Sequence, residues 1–127
     1  MSLASSPTTT MLAITEPERA QVFYGDVLGL PFKGKNLEGS LIFELAGGAT
    51  LGLLTRPAGS QPQHTALSFE VDDVPAAITD LEDRGVVFED YDLPGLKTVD
   101  HVCVLGSERA AWFLDPDGNV LCLHQNL

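Results

Sequence analysis

The stretch TEPERAQVFYGDVLGL, residues 15–30, decides how this chain folds. Thr15 and Glu18 have the spacing of a capping box, and Pro17 sits where a missing N–H costs a helix little. Ala20, Phe23, Tyr24, Val27 and Leu28 then recur every three or four residues, so they share one side of a helix. Gly29 follows, and glycine supplies the left-handed backbone that ends helices.

Upstream of this helix, Thr8–Ile14 reads as a strand. Downstream come three more strand candidates, Pro31–Lys33, Leu41–Leu45 and Thr50–Leu54, with Gly47 and Gly48 turning between the last two. The segment 56–63 holds Pro57, Gly59, Ser60 and Pro62 and reads as a linker. The same order then restarts. His64–Val71 is a strand, Asp73 caps a helix with an apolar side of Val74, Ala77, Ile78 and Leu81, and Gly85 ends it. Val86–Phe88 begins a strand, and Asp92–Lys97 is a loop around Pro94 and Gly95. His101–Leu105 and Arg109–Leu114 are strands, DPDGN at 115–119 is a turn, and Val120–His124 closes the chain as a strand. The expected organisation is a disordered tail over 1–7, a first module over 8–55, the linker over 56–63 and a second module over 64–127. The expected class is α+β, with two tandem βαβββ modules forming a curved mixed β-sheet cup and the helices outside. A single mixed sheet in a generic α+β domain is the alternative.

Composition narrows the partners. Of 127 residues, 7 are Lys or Arg and 18 are Asp or Glu, a formal charge of -11. Such a surface repels nucleic-acid phosphates and anionic lipid heads, so neither nucleic acid nor membrane is an expected partner, whereas cations are attracted. No apolar run approaches the ~20 residues of a membrane span. The opening MSLASSPTTT lacks the basic and apolar regions of a signal peptide. Cys103 and Cys122 form no CxxC pair, which fits reduced thiols and a cytoplasmic location.

Several motifs in this order resemble the glyoxalase/bleomycin-resistance/extradiol-dioxygenase, or vicinal oxygen chelate, superfamily. Pro17–Ala20 leading into FYGDVLGL at 23–30 is similar to its first helix and FYxxVLG signature. FEVDDV at 69–74 resembles the start of its second module, and WFLDPDGN at 112–119 its terminal hairpin. The resemblance implies a small-molecule cup, paired protomers, and either metal-dependent chemistry or antibiotic binding without chemistry.

In the metal-dependent relatives, His, Gln and Glu ligands come from four strands. The resemblance places those four positions at Thr9, Gly52, Ala66 and Cys122. Threonine is a poor ligand, glycine and alanine have no side-chain donor, and one cysteine holds a divalent ion weakly. No metal and no cofactor are therefore expected. A rearranged His64–Cys122–His124 set is the alternative, and it would lack the family's carboxylates.

Strand side chains alternate between faces, so parity gives a candidate lining for the cup. It comprises Thr9, Met11 and Ala13, then Gly52 and Leu54, then His64, Ala66 and Ser68, and finally Cys122 and His124. Trp112 and Phe113 are neighbours on opposite faces, and one of them is free to stack on ligand. This mostly apolar lining suits a small, partly apolar molecule bound without metal, in a homodimer. The alternative function is a lyase, isomerase or dioxygenase of the superfamily with a rearranged or metal-free active site, His64 being its candidate acid or base.

Overall fold

A computed structural model of the chain describes residues 2–127. It divides into two compact units, one ending at Gln61 and the other spanning Pro62–Leu127. Residues 3–5 of the expected disordered tail form a 3-10 turn capped by the Ser2 hydroxyl, while Met1 lies outside the described residues.

The first unit is built from β1 (Thr9–Ile14), α1 (Pro17–Gln21), β2 (Phe32–Lys35), β3 (Leu41–Glu44) and β4 (Thr50–Thr55). Its sheet order is β1-β4-β3-β2, with β1 parallel to β4 and the other pairs antiparallel. Pro17 occupies the first helical turn as expected, but the capping box does not form. Glu16 takes the cap position without a side-chain bond, and Thr15 Oγ1 instead accepts a hydrogen bond from Arg19 at 3.3 Å. The helix widens into a π turn over Val22–Val27, and Gly29 ends it at φ 77°. Ala20 and the Tyr24 ring are fully buried, and Tyr24 packs 6.2 Å from Phe43 of β3. The rows Leu12–Leu53–Leu41 and Leu51–Phe43 complete this core face, each side chain contributing about 1.5–3 kcal/mol by leaving water.

The second unit contains β5 (Thr65–Glu70), α2 (Val74–Glu82), a small hairpin of β6 (Asp92–Leu93) and β7 (Leu96–Lys97), then β8 (Cys103–Leu105), β9 (Glu108–Leu114) and β10 (Val120–Asn126). The main sheet runs β5-β10-β9-β8, with β5 parallel to β10. Asp73 Oδ1 accepts from the Ala76 amide at 3.0 Å, and Gln125 Oε1 from the Val74 amide at 2.9 Å. These bonds satisfy two free donors at the start of α2 and tie it to the end of β10. Val74 and Ile78 of α2 are buried, as are Phe113, Ala111, Leu121 and Leu123 on the sheet. Phe88 stands edge-on to Phe113 with ring centres 5.3 Å apart.

Two readings change. Residues 92–97, expected as a loop, form the β6–β7 hairpin because Pro94 and Gly95 make a two-residue turn. Val86–Phe88 contributes one bridge, Phe88 to Phe113, because β8 occupies the rest of that edge of β9.

The 115–119 turn is tightly bonded. Asp115 is 5% exposed and its carboxylate accepts from the Asp117 amide (2.9 Å), the Asn119 amide (2.8 Å) and the Asn119 side chain (2.8 Å). Gly118 adopts φ 91°, a conformation glycine enters without steric cost.

Candidate functional site

Each sheet has one face packed on a helix-bearing core and one open face. On the first sheet, pairing puts Thr9, Met11 and Ala13 on the open face with Thr50, Gly52 and Leu54. Thr9 and Thr50 share a 2.6 Å hydroxyl bond. Gly52 is buried because the Met11 thioether lies across it: a Cβ at Gly52 would stand 2.5 Å from Met11 Sδ. Of the four family metal positions, two thus hold a hydroxyl engaged with another hydroxyl and a glycine covered by a side chain.

On the second sheet, Cys122 pairs with Ser68 on one side and with Trp112 on the other, so these three form one row of the open face. Glu70, His124 and Ala110 form the next row. β5 carries a bulge: Thr65 pairs with Val120 and Leu67 with Leu121, leaving Ala66 as the extra residue. The alternation expected over His64, Ala66 and Ser68 is broken there. Thr65 comes onto the Trp112 face, and its hydroxyl accepts a 3.1 Å hydrogen bond from the indole N–H.

Phe113 is the core member of the aromatic neighbours and Trp112 the open-face member. The Tyr91 ring stands nearly perpendicular to the indole, with centres 5.6 Å apart and an angle of 82°. Tyr91 is held by the Thr98 hydroxyl, which accepts from the Tyr91 amide at 2.9 Å and itself donates to Asp90 at 3.2 Å. Burial pushes the Tyr91 phenol above its usual range, with Glu89 and Cys122 adding to the effect.

These rings wall a cleft of about 310 Å³. Leu96 of β7 and Val120 of β10 complete its apolar surface, while Gln63, His64 and Thr65 supply polar groups. His64 Nδ1 lies 3.0 Å from the Thr65 carbonyl. A carbonyl only accepts, so Nδ1 carries the hydrogen and the neutral ring keeps Nε2 as an acceptor.

Beside the cleft, Ser68 Oγ lies 2.6 Å from His124 Nδ1, and His124 Nε2 lies 3.8 Å from Glu70 Oε1. Cys122 is 5% exposed. Burial raises its thiol, hydrogen bonds with Ser68 and the Ala111 backbone partly offset that, and Glu108 adds the smallest contribution, a further rise. A protonated buried thiol is a weak ligand and a weak nucleophile. Among the described residues, no group of three or more His, Cys, Asp or Glu has the arrangement to hold a metal ion. The donor set therefore does not fit the family's metal, and neither the Thr9, Gly52, Ala66 and Cys122 positions nor the His64–Cys122–His124 set supplies one.

The structure brings His64 and Trp112 to the cleft, and Ser68, Cys122 and His124 to the adjoining rows. Met11, Ala13, Gly52 and Leu54 belong to the open face of the other unit, and Ala66 is the bulged residue. Tyr91, Leu96, Gln63, Thr65 and Val120 were missed by parity. Tyr91 and Leu96 lie around the short hairpin, where strand periodicity has nothing to repeat.

A family model described as "Glyoxalase/Bleomycin resistance protein/Dioxygenase superfamily" matches residues 7–123. The chain belongs to this superfamily. Solved structures of the same fold include TnmS3, an antibiotic-binding protein from Streptomyces sp. CB03234, at 24% identity and TM-score 0.71 over all of both chains. A glyoxalase/bleomycin resistance protein from the same organism is 27% identical, with TM-score 0.67 over 96% of this chain and 100% of its own. A superfamily member from Sphaerobacter thermophilus is 24% identical, with TM-score 0.73 over 95% and 97%. No curated protein matches the sequence. No helix among the described residues is long and apolar enough to cross a membrane.

Proposed function

We propose that the chain binds a small, partly apolar molecule through the Trp112–Tyr91 cleft, without a resident metal. The observation carrying this reading is the pair of perpendicular aromatic walls around about 310 Å³, closed by Leu96 and Val120 and edged by polar groups. Apolar surface with a few fixed polar groups is what small-molecule sites present. The indole is held by Thr65 and the Tyr91 backbone by the Thr98 hydroxyl, so little freedom is lost when a ligand stacks between the rings. The volume is at the low end for such sites, so it takes one ring system of a ligand rather than the whole of a large one. The formal charge of -11 favours a ligand that also carries a basic group, and the indole face attracts cations. TnmS3, described as an antibiotic-binding protein, and the glyoxalase/bleomycin resistance protein from the same Streptomyces support this reading by likeness of fold. The donor chemistry at Thr9, Gly52, Ala66 and Cys122 supports metal independence.

The protein acts in this reading as a cytoplasmic homodimer, since exposed sheet edges call for cover and both cysteines are free. Sedimentation equilibrium over a range of concentration and salt tests the dimer, and a monomer throughout would end that part. Equilibrium dialysis against bleomycin and a panel of basic aromatic antibiotics tests the binding. At least one compound is retained by the wild type and lost by Trp112→Ala. Equal retention by both would remove the cleft from the account.

A further inference from the structure

The second sheet's open face carries polar side chains that the cleft does not use. Ser68 and Glu70 alternate on β5, and His124 lies on the neighbouring β10, directly across from Glu70. The Ser68 hydroxyl is 2.6 Å from His124 Nδ1, a short distance for a neutral donor. On the far side of the ring, Nε2 faces Glu70 Oε1 at 3.8 Å, and that oxygen also accepts from Asn126 Nδ2 at 3.4 Å. With the ring hydrogen on Nε2 towards the carboxylate, Nδ1 is the acceptor and Ser68 the donor. A hydroxyl bonded to a neutral imidazole is how proteins turn serine into a nucleophile, and Glu70, at 3.8 Å beyond hydrogen-bond reach, adds a nearby negative charge that favours the imidazolium formed when the proton moves. Ser68 and Glu70 are exposed, so a carbonyl or phosphoryl group can reach Oγ from solvent. Cys122 also lies within hydrogen-bond reach of Ser68, but it is buried and its thiol is raised, so the exposed hydroxyl rather than the thiol is the nucleophile.

We propose that Ser68, His124 and Glu70 form a metal-free nucleophilic site that takes acyl groups from activated esters and phosphoryl groups from phosphorofluoridates. Ser68 Oγ bonds to the electrophilic carbon or phosphorus, the hydroxyl proton passes to His124 Nδ1, and the bond to the leaving group breaks. For an ester, His124 returns the proton to the leaving oxygen. Water then attacks the acyl-serine, His124 taking its proton and giving it back to Oγ, so that the acid is released and the site restored.

Diisopropyl fluorophosphate is the direct probe: the Ser68 Oγ–P bond forms, the P–F bond breaks and fluoride leaves. Intact-mass kinetics with peptide mapping should find one adduct, on Ser68. Its rate should exceed that of the urea-denatured chain by roughly a hundredfold, the usual contribution of a positioned base. Ser68→Ala abolishes the adduct, His124→Ala reduces the rate to the denatured level, and Glu70→Gln gives a smaller loss. Circular dichroism establishes that each variant folds, which these open-face substitutions should allow. An adduct on another residue would overturn the proposal. So would a native rate equal to the denatured one, or a His124→Ala rate equal to wild type. The small reagent reads the hydroxyl alone, so failure here is distinct from failure of the cleft to bind, which Trp112 emission reports.

Discussion

Trp112 and Phe113 are adjacent and aromatic, yet the structure gives them opposite work, and paired substitutions measure the difference. Phe113 is fully buried and edge-on to Phe88. Its truncation in Phe113→Ala removes a core ring and leaves a cavity, costing about 3–5 kcal/mol. Trp112 is only partly buried. Trp112→Ala loses one hydrogen bond, to Thr65, and one edge-on ring contact, to Tyr91. These are worth roughly 0.5–1.5 kcal/mol each, giving about 1–3 kcal/mol in all. With a urea slope of roughly 2 kcal/mol per molar, the midpoint falls by about 2 M for Phe113→Ala and about 1 M for Trp112→Ala. Urea unfolding followed by far-ultraviolet circular dichroism reads both, since the signal does not depend on the tryptophan. Should Phe113→Ala fail to fold, Phe113→Leu keeps most of the volume and costs roughly 1.5 kcal/mol or less. Equal losses in the two alanine variants, or a larger loss at Trp112, would refute the assignment of one ring to the core and the other to the cleft.

Asp115→Ala should destabilise the chain by about 3 kcal/mol or more, because removing a buried carboxylate leaves three donors behind, and a loss of unfolding free energy below roughly 1 kcal/mol in urea would refute that role. Cys122 should react slowly with iodoacetamide in the native protein. Its thiol is raised, so at any pH below the shifted value less thiolate is present than for an ordinary cysteine. The native rate therefore climbs only at higher pH, while urea restores ordinary reactivity. A fast native reaction near pH 7, mapped to Cys122, would contradict its burial.

The strand–helix–glycine order was legible because its signals are local. Pro17, Gly29, Asp73 and Gly85 each act within three residues, and each does in the structure what its chemistry predicts. The Thr15 capping box failed because the helix starts one residue later than the spacing implied: Glu16 holds the cap position, and the Thr15 hydroxyl accepts from Arg19. The open face of β1 and β4 follows plain alternation. On β5 the alternation stops at Ala66, because a bulge adds a residue that no composition signal marks. That one residue brings Thr65 onto the indole's face. Tyr91 was illegible for another reason: its position depends on the β6–β7 hairpin and on Thr98 and Asp90, which are contacts across a loop. The His124–Ser68 bond joins residues 56 apart in sequence and follows from the parallel pairing of β5 with β10.

The chain's single tryptophan stands in the cleft, so its emission tests the central claim directly. Titration of the wild-type protein with bleomycin and the basic aromatic antibiotics, excited where only indole absorbs, should give saturable quenching or a spectral shift with at least one compound. The same compound should give no change in the emission of a Tyr91→Ala, Leu96→Ala double variant at the same concentrations. Emission that stays flat across the panel, or that changes identically in the double variant, would contradict a small-molecule site between Trp112 and Tyr91.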